Sequence, residues 1–226
     1  MSPTPTPMHR RASVSLVLFL LMALAGPALA SPRSEENRRL HPVIDVMTAL
    51  PASVDLDDLS LTFPQDPSVT HFDDTWGNRR SGGRRHKGTD LMAPKMSPVY
   101  AVADGIVTTM KRGGSAGWWI GIEHAGGLES WYMHLNNDAP GTDNGRAERE
   151  ETFAAGLGVG DFVTAGQLIG YVGDSGNAEG SGPHTHFELH VNGKPIDPYP
   201  LLVAAHERAT LVQFLQRLEE VTDLAE

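Results

Sequence analysis

The chain has no cysteine, so no disulfide can hold it together outside the cell, and its stability must come from an apolar core. Basic residues are also few: 18 Lys and Arg stand against 28 Asp and Glu, a formal charge of -10. A surface that acidic argues against nucleic acid or anionic lipid as the main partner. Beyond the first thirty residues there is no long apolar run, and a membrane span needs roughly 20 apolar residues in succession.

The one sustained apolar stretch, residues 14–25, follows the short cationic segment Met8-His-Arg-Arg11 and leads to Ala28-Leu-Ala30. Cationic start, apolar middle and small-residue end make the three-part pattern of a secretory signal, with cleavage expected after Ala30. Met8 is a second candidate for the initiator. Removal of residues 1–30 takes away Arg10 and Arg11 and no acid. The mature chain then carries 16 basic residues against 28 acidic ones, a charge of -12. The pattern predicts an exported protein, secreted or periplasmic, without stable membrane insertion once the signal is cut. Roughly 195 mature residues suffice for one domain.

Residues 31–67 are polar and acidic with scattered prolines and read as a linker or short lead-in. From Val69 the texture is mainly β, and residues 68–203 are expected to form the domain. Short β-branched or aromatic runs, such as Trp118-Trp-Ile-Gly-Ile122 and His186-Phe-Glu-Leu-His-Val191, are cut by the turn signals Ala125-Gly-Gly127, Gly173-Asp-Ser-Gly176 and Asn192-Gly193. The last has the Asn-Gly pair favoured in two-residue hairpins. Residues 204–226 carry a helical pattern, with Leu211, Phe214, Leu215 and Leu218 on one face. Between the strands, residues 137–158 form a long polar interruption. A loop of that length is usually functional or unstructured, and it is expected to lie outside the core.

Chemistry concentrates in two short segments about a hundred residues apart, His86-Lys-Gly-Thr-Asp90 and His184-Thr-His186. Side chains at i and i+2 of a strand share a face, so His184 and His186 project together, and His86 and Asp90 can close a site from a neighbouring segment. A catalytic zinc takes three ligands from His, Asp or Glu and keeps a fourth position for water. These segments supply three such ligands and a spare imidazole.

In order, Trp76-Gly-Asn-Arg-Arg80, His86-Lys-Gly-Thr-Asp90, Pro98-Val-Tyr-Ala-Val-Ala-Asp-Gly105, Tyr132-Met-His-Leu135, Gly160-Asp-Phe-Val-Thr-Ala-Gly-Gln-Leu-Ile-Gly170 and His184-Thr-His-Phe-Glu188 resemble the lysostaphin/LytM-type zinc endopeptidases. The resemblance implies a small antiparallel, barrel-like β domain with an open groove, and peptidoglycan as substrate. It implies Zn2+ held by His86, Asp90 and His186, with His184 and His134 as catalytic histidines that do not bind the metal. Trp131 and Tyr132 are expected to fix the His134 ring. The implied reaction is hydrolysis of peptide bonds in peptidoglycan cross-links or stems by metal-activated water, by a protein that is secreted or cell-wall associated and acts as a monomer. On this reading the 137–158 loop flanks the groove. Met96 departs from the pattern at a turn position where the family commonly has glycine, and Thr185 replaces a more usual leucine.

Other residues fall outside the motifs. His190 shares the strand face of His186 and is expected behind the site or at its rim, where the family more usually has an arginine. His41, His71, His124 and His206 match nothing and are expected to face solvent. Arg80 is a candidate to orient Asp90 or a substrate carboxylate, set against a simply solvated arginine loop. The polar set Asn136, Asn137, Asp138, Thr142 and Asp143 is either a calcium site or, on its irregular spacing, a polar turn. Two other functions stay in view. One is a non-enzymatic wall-binding or hydrolase-activating relative, against which the full ligand set argues. The other is a lipoyl- or biotinyl-type carrier using Lys95-Met96, against which export and the metal motifs argue.

Overall fold

The computed structural model describes residues 59–223. The leader over 1–30, His41 and most of the 31–67 stretch lie outside the described residues.

Nine strands and two helices follow one another: β1 (Thr89–Met92), β2 (Pro98–Tyr100), β3 (Gly105–Gly113), β4 (Gly117–His124), β5 (Leu128–Leu135), α1 (Arg149–Thr152), β6 (Phe162–Val163), β7 (Leu168–Tyr171), β8 (His184–Val191), β9 (Lys194–Ile196) and α2 (Tyr199–Asp223). The fold is mainly β with a C-terminal helix. The main sheet has the order β1-β8-β5-β4-β3-β6, every pair antiparallel, with β9 beside the C-terminal half of β8. Strands β2 and β7 form a separate ribbon. The main sheet stays open rather than closing into a barrel, because β1 and β6 are edges that do not meet. Asn192 and Gly193 both take positive φ, 50° and 72°, between β8 and β9. That is the backbone a two-residue hairpin needs, and it explains the Asn-Gly pair.

One sheet face packs the core, with Leu91, Val107, Ile120, Ile122, Tyr132, Phe187 and Leu189 almost fully buried. Val99 and Ile169 of the ribbon join the same cluster. Each such side chain contributes about 1.5–3 kcal/mol of burial. Leu61 and Phe63, from the acidic lead-in, are buried with them. Phe63 meets Phe72 and His206 edge-on or tilted, at centroid separations of 5.6 and 5.0 Å. This contact and the burial of Leu202 and Ala205 anchor the first half of α2. The second half leaves Leu211, Phe214 and Leu218 exposed and Leu215 half-buried, so most of the apolar face read from the sequence looks outward.

The 137–158 segment differs from its expectation. Its second half belongs to the core: Thr152, Phe153, Ala154 and Leu157 are buried, and Phe153 bridges to Gly170 of β7. The polar run over 146–151 hides this, because three apolar residues without periodicity do not register as an element.

Candidate metal centre

The register of β1 against β8 sets Asp90 directly opposite His186 and Met92 opposite His184. Gly88 makes the approach possible, since a Cβ there would stand 2.2 Å from the Phe187 carbonyl oxygen. The glycine between His86 and Asp90 therefore answers a steric demand from the strand that carries the paired histidines.

Three donor atoms converge. Asp90 Oδ1 lies 2.8 Å from His186 Nδ1 and 3.1 Å from His86 Nε2, and the two nitrogens are 2.9 Å apart. These separations approach the ~3.3 Å edge of a tetrahedron built on zinc–nitrogen bonds of about 2.0–2.1 Å. The far edge of each ring is committed to an acceptor. His86 Nδ1 donates to the Thr75 carbonyl at 3.1 Å, with Thr75 Oγ1 at 2.9 Å. His186 Nε2 donates to Glu188 Oε1 at 3.0 Å. With the proton held on the far nitrogen, each ring turns a lone pair toward the cluster, as a metal ligand must. The donor set thus fits a divalent metal. Burial would raise the Asp90 pKa, but the neighbouring His186 and His86 rings outweigh it and hold the carboxyl far below its usual range. The second Asp90 oxygen accepts from Arg80 at 2.5 Å.

His184 and His134 stand apart from that triad. The Nε2 of His184 is 3.9 Å from Asp90 Oδ1, and its Nδ1 donates to the Gly182 carbonyl at 2.7 Å. His134 Nδ1 donates to the Ser175 carbonyl at 2.8 Å. The two rings meet edge to face, 5.1 Å apart. Both histidines line the groove and keep Nε2 unprotonated when neutral. Burial lowers the His134 pKa to about 4, although the Ser175 carbonyl favours its charged form.

A bulge aims His134. Strict alternation along β5 would send residue 134 inward beside Tyr132. Opposite β4, however, the register shifts between Trp118 and Ile120, which pair with Leu135 and Tyr132, so two residues of β5 face one of β4. His134 sits at this point with φ 60°, and Leu135 returns to the core. Bulges re-aim side chains in this way, often beside active sites. The ring is not fixed by Trp131 and Tyr132 as the sequence suggested. The Tyr132 hydroxyl accepts from Val102 N–H in the core, and Trp131 stacks on His190. The fixing partner is Ser175, whose hydroxyl donates to the Leu135 carbonyl at 2.6 Å and accepts from Trp118 N–H at 2.9 Å. No sequence signal marked Ser175 or Thr75.

Glu188 joins the site through strand parity alone. One oxygen holds His186 and the other accepts from His190 Nε2 at 2.7 Å. His190 is buried and lies behind His186, its ring 4.0 Å from Trp131.

Two further expectations change. His124 is buried, between the Asp104 carbonyl and Ser130, and His206 is half-buried, packed on Phe63 and Phe72. The acidic group around residue 138 holds a lysine: Lys95 Nζ lies 2.8 Å from Asp138, 2.6 Å from Asp143 and 3.0 Å from Asp174. Those bonds raise the Lys95 pKa above the ordinary lysine value in spite of burial. A lysine tied to three carboxylates is no exposed tip for a carrier group.

The groove holds about 870 Å³ and runs past His134, His184 and His186. No residue of 137–158 lines it, so the long loop is not one of its walls.

A DD-carboxypeptidase/endopeptidase of Neisseria meningitidis, Mpg, is 34% identical over 124 residues, covering 55% of this chain and 24% of that protein. The L-Ala–D-Glu endopeptidase of Bacillus subtilis is 36% identical over 141 residues, 58% of this chain and 39% of that protein. The chain thus matches only about a quarter to two fifths of the length of these relatives. The catalytic domain of the antimicrobial peptidase lysostaphin from Staphylococcus simulans superposes with a TM-score of 0.46 at 28% identity, over 59% of this chain and 92% of that one. The signature of Peptidase family M23 matches residues 84–146 and 149–198, half of the chain, and takes in His86, Asp90, His134, His184 and His186. The chain belongs to Peptidase family M23.

Proposed function

We propose that the chain is an exported, zinc-dependent endopeptidase that hydrolyses peptide bonds in the cross-links or stems of peptidoglycan. The observation that carries this reading is the convergence of His86, Asp90 and His186 at 2.8–3.1 Å, each imidazole already protonated on its far side. Two neutral imidazoles and one carboxylate suit zinc and leave it a net positive charge with an open position. The bound metal supplies Lewis acidity, which polarises a carbonyl and acidifies water to a pKa of about 7.

The chain's own residues do the rest. His184 and His134 each turn an unprotonated Nε2 to the groove and are placed to take the proton of the attacking water. Once charged, either one donates to the developing oxyanion or to the leaving amine. Their Nδ1 atoms, held by the Gly182 and Ser175 carbonyls, fix the tautomer for that work. Both relatives carry names for activities on bonds involving D-residues, a chemistry that peptidoglycan stems provide. Export, with the metal site working outside the cytoplasm, rests on the cationic, apolar and small-residue sequence of residues 8–30.

The test is digestion of isolated peptidoglycan with zinc, with a chelator, and with His186→Ala, followed by mass analysis of the fragments. New amino termini that require zinc are expected. Absence of fragments from the zinc-loaded protein, or undiminished release by His186→Ala, would sink the proposal.

A further inference from the structure

The two walls of the groove differ in charge. One wall is the 79–87 segment, which brings Arg79, Arg80, Arg84, Arg85 and Lys87 to the groove lining. The facing wall is uncharged, made by Ser115 and Ala116 after β3 and by Asn177, Ala178, Ser181 and Gly182 before β8. Five of the chain's 18 basic residues thus fall within nine positions, in a chain with ten more acids than bases. Charge of this sign is not needed to balance the groove itself. Its two lining acids are already engaged, Asp90 with His86, His186 and Arg80, and Glu188 with His186 and His190.

The cations are also unspent. Among the described residues only Arg80 of the five has a carboxylate partner. Arg84 and Arg85 donate to the carbonyls of Ser81 and Gly77 in their own segment, which shapes the loop without neutralising it. All five side chains are exposed. Four uncompensated cations side by side repel one another, and an anionic ligand relieves that repulsion.

We infer that the 79–87 wall is a carboxylate-binding subsite, so that the groove takes stem peptides with free side-chain or terminal carboxylates and orients their anionic end toward this wall. The inference rests on the peptidase reading for its choice of peptide. The guanidinium pair Arg84 and Arg85 offers the forked geometry that matches carboxylates, and the neutral opposite wall offers nothing comparable. Substrate therefore enters in one direction, with its charged arm on the β1 side of the metal ligands.

The experiment compares dimeric stem peptides prepared from peptidoglycan with their carboxyls free and with the same carboxyls converted to primary amides. Equilibrium binding is measured in a His184→Ala background, which slows turnover and leaves the wall intact, and then with R79Q/R84Q/R85Q/K87Q added. Zinc content serves as the control for folding. The free-acid peptide is expected to bind about tenfold more tightly than the amide, the order given by one or two exposed charge pairs. That ratio should fall to about one in the quadruple variant and shrink as salt rises. Equal affinity for acid and amide, or a preference that survives in the quadruple variant, would overturn the inference. So would a polyglycerol phosphate that binds the wall more tightly than the peptide, which would assign the wall to a phosphate polymer. Turnover by the wild-type protein is scored separately. Wall-dependent binding without cleavage removes the peptidase reading alone, whereas cleavage of acid and amide with equal KM removes this inference alone.

Discussion

Glu188 Oε1 accepts the proton of His186 Nε2 at 3.0 Å, while the other nitrogen of the same ring faces Asp90 and His86. The carboxylate thereby fixes both the tautomer and the tilt of a proposed ligand, and His190, stacked on Trp131, holds the carboxylate in turn. Bonds from the two histidines hold the Glu188 carboxyl down to about 2 against the raising effect of burial, so it is ionised at any working pH.

Loss of such a partner typically weakens metal binding 10- to 100-fold. Glu188→Ala should therefore lower zinc affinity by about that factor in chelator competition. Glu188→Gln, which can still accept through its amide oxygen, should fall between the two. Wild-type affinity in Glu188→Ala would show that the strand pairing alone orients His186.

The two groove histidines should separate metal binding from chemistry. His184→Ala and His134→Ala are expected to retain zinc and to lose about 10²–10⁴-fold in turnover, the usual contribution of a positioned proton-transfer or oxyanion group. Zinc stoichiometry and single-turnover rates on peptidoglycan fragments check both halves. Wild-type turnover in either variant removes that histidine from the mechanism.

Lys95 is expected to matter for stability and not for the groove. Lys95→Met leaves Asp138 and Asp174 buried without their cation, and breaking a buried pair from one side costs about 3–5 kcal/mol. Burial would raise the Asp138 pKa, but the bonds from Lys95 and Gly145 N–H outweigh it and keep the carboxyl below 3.8. Its share of stability is therefore present in full above about pH 4 and is lost as pH falls through the depressed value. Denaturant unfolding at pH 7 and pH 3 checks this. The gap between Lys95→Met and wild type should be wide at pH 7 and narrow at pH 3.

Phe153→Ala should destabilise by about 3–5 kcal/mol, as buried Phe truncations do, although the residue sits in a segment that reads as a polar loop. Zinc affinity should hold under conditions where the variant is folded, because no residue of 137–158 lines the groove. A thermal unfolding curve unchanged by the substitution would place the segment outside the cooperative core.

The convergence of His86, Asp90 and His186 was legible in the sequence because its logic is local. Parity puts His184 and His186 on one face, and a five-residue segment with a central glycine carries His86 and Asp90. The strand texture, the Asn192-Gly193 turn and the C-terminal helix were legible for the same reason. What stayed hidden depends on partners far along the chain. Lys95 meets carboxylates at 138, 143 and 174, and His134 meets a backbone carbonyl at 175, contacts that no residue type announces. Phe153 and Leu157 were hidden by flanking charge, and His124 and His206 because no local signal tells a packed histidine from an exposed one.

The extra residue in β5 works as a phase shifter. Upstream of it, odd-numbered side chains such as Trp131 and Met133 lie on the face away from the core; beyond it, Leu135 looks inward. One strand can thus seat Tyr132 and Leu135, three positions apart, in the same core and still turn His134 to the groove. A one-residue deletion there would not merely remove a side chain. It would abolish the bulge itself: Leu135 would fall into plain alternation with Tyr132 and still face the core opposite Trp118, and the strand would have no residue left to turn toward the groove at that point.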